Sequence, residues 1–129
     1  MATTLIEEAS FLDPDTGRWV STLHCNHDTA NASTPQEIPN SKFDSAMGNQ
    51  VVRVLGYSIP ANTSNATTIK LHNGEENADP LWKRVIPAGE YIEDLGGFIH
   101  TSVNKNLYIT SDQAIGDFTI IVEMIRGKA

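Results

Sequence analysis

The sequence holds one local cluster of metal-binding residue types, His24-Cys25-Asn26-His27-Asp28. Zinc takes thiolate, imidazole and carboxylate ligands converging tetrahedrally, and two histidines three residues apart can converge on a helix or turn. A structural site needs a second ligand pair, yet Cys25 is the only cysteine, and His72 and His100 stand singly beside turn-like sequence. Cys25 with its flanking histidines makes no nucleophile–base pair either, because successive residues on an extended chain point to opposite sides. The cluster reads as a polar loop, and no metal or other cofactor is expected.

Other chemistry is equally thin. Asp13 with Asp15, and Glu75 with Glu76, sit beside turn formers and read as solvated charges rather than as a glycosidase pair flanking a sugar. No phosphate-cradling glycine loop, nucleophile elbow or H-E-x-x-H run occurs. No catalytic residue is expected, and the chain reads as a non-enzyme. Trp19, Trp82 and Tyr91 are a conceivable platform for sugar rings, but each lies in or beside an expected strand, where an aromatic serves as a core or interface anchor.

Composition narrows the partners. Nine basic and 16 acidic residues give a net charge of −7, which argues against a nucleic-acid binder, since that needs a cationic footprint. The longest strongly apolar stretch runs from Phe118 to Val122 and is interrupted by Thr119, whereas a membrane helix needs about 20 residues. The opening MATTLIEEASFLDPD has neither a positive leader nor an apolar core, so synthesis in a cytoplasm and no membrane association are expected.

The elements that would carry any site are short and β-like. The runs Val51–Ile59, Thr67–His72, Leu81–Ile86, Glu90–Leu95, Asn106–Ser111 and Phe118–Arg126 are separated by Asn73-Gly74, Pro87-Ala88-Gly89 and Gly96-Gly97. Gly56 suggests a bulge or a close neighbour. Thr3–Phe11 is the one passable helical stretch, at under three turns, and Asp13–Leu23 reads as a turn and strand. Together these predict an all-β fold, a β-sandwich or jelly roll, over residues 48–129. Residues 1–47, rich in Pro, Asn, Ser and Thr, are expected to form an extended, loop-rich N-terminal arm.

Two strands carry more apolar surface than a half-buried strand requires. In the last, Phe118, Ile120, Val122 and Met124 share a face, while Ile121 and Ile125 lie opposite with Thr119 and Glu123. In the first, Val52 and Val54 oppose Val51, Leu55 and Ile59. The second faces call for a covering loop or another copy of the chain.

The succession VVRVLGYSIPA, TTIKLHNG, IPAGEYI, a Gly-Gly turn with Phe, NLYITSD and a hydrophobic final strand resembles small structural proteins of tailed bacteriophages. Within that group the chain is most similar to head-decoration (cement) proteins, over roughly Val51–Ile125. The resemblance implies a homotrimer on the exterior of a virion capsid, clamping neighbouring major capsid subunits, with no catalytic residues. Leu5, Ile6, Phe11, Leu12 and Trp19 are then the expected anchors of the arm, and Ile121 and Ile125 the expected contacts between copies. The alternatives are a neck or tail component, or a receptor-binding, carbohydrate-binding sandwich.

Overall fold

The structure, a computed structural model, describes residues 3–44, 49–77, 79–95 and 99–126. The expected boundary at Met47–Gly48 and the Gly96-Gly97 turn with Phe98 lie outside the described residues. Nine strands follow one another: β1 (Thr3–Leu12), β2 (Trp19–His27), β3 (Gln36–Glu37), β4 (Gln50–Pro60), β5 (Thr67–Asn73), β6 (Trp82–Ile86), β7 (Tyr91–Leu95), β8 (Leu107–Ser111) and β9 (Gly116–Arg126). They form a five-stranded sheet, β1-β2-β9-β4-β7, and a four-stranded sheet, β3-β8-β5-β6. Every ladder between these strands is antiparallel. The two sheets pack face to face as an all-β sandwich, and no helix occurs among the described residues.

Alternation decides which side chains enter the core. From the large sheet come Leu23 and Cys25 of β2, and Phe118, Ile120 and Val122 of β9; from the small sheet come Ile69, Leu71, Leu107 and Ile109. All are almost fully buried. A period of two along each strand sends these residues inward and their neighbours outward.

β4 departs from simple alternation. Its pairing with β9 shifts register between Val54 and Gly56, so Leu55 is the extra residue of a β-bulge. Ile59 therefore joins Val52, Val54 and Tyr57 in the core instead of opposing Val52 and Val54. Gly56 also has the close neighbour that its type suggests, since a Cβ there would stand 3.3 Å from the Asp94 carbonyl oxygen.

Residues 3–12 are a strand, not a helix. β1 pairs along its whole length with β2, from Thr3 opposite His27 to Leu12 opposite Trp19. An isolated helix of under three turns is marginal in water, whereas this ladder satisfies the backbone and lets Thr, Ile and Phe lie on a pleated surface. The hairpin is closed by a turn in which Gly17, at a φ of 70°, donates its N–H to the Asp13 carbonyl. About half of the described segment expected as an extended arm is thus sheet. β2 sits between β1 and β9, and Leu23, Cys25 and Ile38 share the core with the later strands.

Candidate interaction surface

The face of the large sheet turned away from the core is built by the alternate residues of its strands. β9 contributes Thr119, Ile121, Glu123 and Ile125; opposite them on β4 stand Ser58, Gly56, Arg53 and Val51. β2 adds Val20, Thr22 and His24, β1 adds Phe11, and β7 adds Tyr91, Glu93 and Leu95. Leu95 is 84% exposed, Phe11 58% and Ile121 36%. Phe11 and Leu95 lie on the two edge strands and Ile121 on the central one, where a solvent-facing position is ordinarily polar.

Two of the hollows on this face lie against its apolar groups. One, of about 250 Å³, opens over Gly56, where the missing side chain leaves a dimple between Leu95, Thr119 and Ile121. The other, of about 640 Å³, lies between Val51, Arg53 and Ile125 on the sheet and His100 and Val103 on the following loop. Between the apolar groups runs one polar ladder. Glu123, its side chain 8% exposed, accepts from Arg18 Nη1 at 3.3 Å and from Arg53 Nη2 on the neighbouring strand. A nearly buried carboxylate needs such partners.

The residues expected to make contacts are all at least partly open. Leu5, Ile6, Phe11, Leu12, Trp19 and Ile121 are exposed, and Ile125 is half-buried. They do not form one patch. Phe11, Ile121 and Ile125 share the outer face. Leu5, opposite Cys25, and Leu12, opposite Trp19, point to the core side of β1 yet stay exposed, and Ile6 is the bulged residue of β1. Lys42 Nζ stands 4.0 Å from the centre of the Trp19 ring. Leu95 and the Arg18–Glu123–Arg53 ladder were missed. The signal for Leu95 was its alternation with Tyr91 and Glu93; the ladder needs the β4–β9 register, which no local pattern carries.

The histidine–cysteine cluster is taken apart by the strand. His24 and Asn26 face outward, where His24 Nδ1 lies 3.1 Å from Thr119 Oγ1 and Asn26 donates to Asp117. Cys25 and His27 face inward. Burial pushes the Cys25 thiol up to about 12, so it stays protonated and unreactive. His27 is fully buried between Thr3 Oγ1 at 2.6 Å from Nδ1 and Asn31 Oδ1 at 2.9 Å from Nε2. The amide oxygen can only accept, so Nε2 carries the proton and Nδ1 accepts from the Thr3 hydroxyl. Burial holds His27 below its ordinary value, and it does the same to His72, whose Nε2 lies 2.7 Å from Thr110 Oγ1. Among the described residues no three His, Cys, Asp or Glu side chains converge as metal ligands, and no helix is long and apolar enough to cross a membrane.

The three aromatics are likewise separate. Trp82 is half-buried on the small sheet, edge to face with Tyr57 at 5.0 Å. Trp19 and Tyr91 pair toward opposite ends of the large sheet, Trp19 with Met124 and Tyr91 with Pro60.

No family model matches the chain, and no curated protein does. Among solved structures, the N-terminal endo-1,4-beta-D-xylanase 10B of Clostridium thermocellum, in its CBM22-1–GH10 modules complexed with xylohexaose, aligns with 98% of this chain at 16% identity and a TM-score of 0.36. The chain spans about a quarter of that structure's length, 26%.

Proposed function

We propose that the chain is a non-enzymatic component of a tailed-phage virion, a capsid decoration protein that clamps neighbouring major capsid subunits. The observation that carries this reading is the uncovered apolar outer face of the large sheet, set with Phe11, Ile121 and Leu95. Exposed apolar side chains on a stiff sheet face serve association with another macromolecule. The face is built on the strands that also carry the core, so it is stiff, and a stiff face loses little entropy on docking. The β1–β2 hairpin, with Phe11 and Leu12 beside its turn, reaches the capsid subunits, while Ile121 and Ile125 lie at the contact between three copies. The similarity over Val51–Ile125 to decoration proteins supports the same reading.

The test is co-sedimentation of the purified protein with phage heads stripped of decoration. Saturable binding that raises the heads' resistance to heat supports the reading. Ile121→Glu, which would bury a charge without a partner in the contact, is expected to abolish the trimer and weaken binding about a hundredfold. Failure of the folded wild-type protein to bind any such head would sink it.

A further inference from the structure

The two lateral sides of the sandwich differ in charge. On one side the sheets end in β1 and β3, whose charged residues are Glu7, Glu8 and Glu37, with no cation. On the other they end in β6 and β7. β6, Trp82-Lys83-Arg84-Val85-Ile86, carries two cations, and β7, Tyr91-Ile92-Glu93-Asp94-Leu95, carries two carboxylates. Both are five-residue strands with apolar ends and a charged centre. Among the described residues each is paired on one edge only, so each presents a row of backbone groups to a further strand.

We infer that two copies of this chain join side by side through this flank, β6 of each pairing with β7 of the other around a two-fold axis parallel to the strands. The short connection Pro87–Glu90 arches from the end of β6 to the start of β7, and the Tyr57–Trp82 ring contact fixes the other ends of the two strands at one level. They therefore run in opposite directions at the same height. Rotation about an axis along the strands keeps that height and brings β6 beside an antiparallel β7 of the second copy. The same rotation exchanges the sheets, so each four-stranded sheet continues into the five-stranded sheet of the other copy, core side matched to core side.

The charges then fall correctly. Lys83, opposite Lys70, and Glu93, opposite Ser58, both point away from the core. Arg84, opposite Ile69, and Asp94, opposite Tyr57, both point toward the core side. In the continuous sheets each cation neighbours a carboxylate of the other copy on the same face, and the two-fold repeats the arrangement. The β1–β3 flank offers no such match, since its strands carry Glu7, Glu8 and Glu37 and Lys42 already neighbours Glu8. Exposed Val85 on β6 is brought beside the second copy by the same contact. This inference goes beyond the cement reading: it uses a flank, not the outer face, and needs no capsid.

Sedimentation of the full chain at low and high salt tests it. The two-fold contact alone makes a dimer of the chain, so the expected effect of breaking it is a halving of the particle mass, distinct from the threefold drop that loss of a trimer gives. Reversing one edge, by Lys83→Glu with Arg84→Glu, or by Glu93→Lys with Asp94→Lys, should each weaken association about tenfold or more. An equimolar mixture of the two reversed proteins should restore the doubled mass, because each then offers the edge that the other lacks. All four side chains lie on strand edges, and thermal melts of both variants report folding separately. A wild-type mass unchanged by either reversal, or a mixture that fails to associate while both variants are folded, overturns the inference.

Discussion

Both faces of β9 carry isoleucine, with different outcomes. Phe118, Ile120, Val122 and Met124 point inward and are buried, whereas Thr119, Ile121, Glu123 and Ile125 point outward. Ile120 and Ile121 are the same side chain one residue apart, the first fully buried and the second more than a third exposed. Chemistry alone does not make a residue part of the core. What decides is whether a second sheet of the same chain lies over it, and here the four-stranded sheet covers one face only. The outer face leaves its apolar groups uncovered, with Glu123 and its two arginines at its centre.

The largest expected effect breaks that comparison directly. Ile120→Ala should lower the unfolding free energy by about 3 kcal/mol, the transfer and cavity loss of a buried branched side chain. Ile121→Ala in the isolated chain should change it by less than about 0.5 kcal/mol. Urea denaturation of both variants checks the pair, and equal losses would mean that the outer face is buried in the free protein.

A middle-sized effect concerns the polar ladder. Glu123→Ala leaves Arg18 and Arg53 facing one another without their shared carboxylate. Both arginine side chains are about a third exposed, at 37% and 36%, so the cost falls below that of a fully buried pair, at about 2 kcal/mol. Glu123→Gln, which keeps an acceptor, should cost less. Denaturation at two salt concentrations measures both, and a loss for Glu123→Ala under the noise of the method would show the ladder to be solvated.

Much of this contrast was legible beforehand. The alternation in TTIKLHN and in FTIIVEMIR, with turn dipeptides between the runs, specified a sandwich and put Ile121 and Ile125 on the face opposite Phe118. The uncertain parts were those set by pairing at long range. Thr3–Leu12 has mixed local preference and becomes a strand only because β2 lies beside it. Ile59 changes faces because one bulged residue, Leu55, shifts everything after it. Glu123 finds Arg18 and Arg53 across two different ladders. No reading of a local window reaches such pairings.

The smallest effect sharpens the comparison on β2, where alternation sends His24 toward water and His27 into the core. His24 is half-exposed beside Thr119, while His27 is sealed between Thr3 and Asn31. Desolvation lowers His27, against the opposing influence of Asn31 and Asp28, and it lowers His72 on the other sheet. In the unfolded chain both titrate near 6.5. The unfolded state therefore binds protons first as pH falls, and stability rises with pH across this window. The contribution is complete above about pH 7 and is lost as pH drops through 6.5 toward the lowered folded values, with a slope of at most about 1.4 kcal/mol per pH unit for each histidine. Glu8 adds nothing in that range, since its lowered carboxyl titrates below 4.5 in the folded chain. Urea denaturation between pH 7.5 and 5.5 should thus show a stability loss of roughly 1 kcal/mol. Combining His27→Gln with His72→Gln should flatten it, whereas His24→Gln should leave it intact. A slope that survives the first pair, or vanishes with His24, would place the proton-sensitive histidine on the outer face and reverse the assignment of inside and outside on β2.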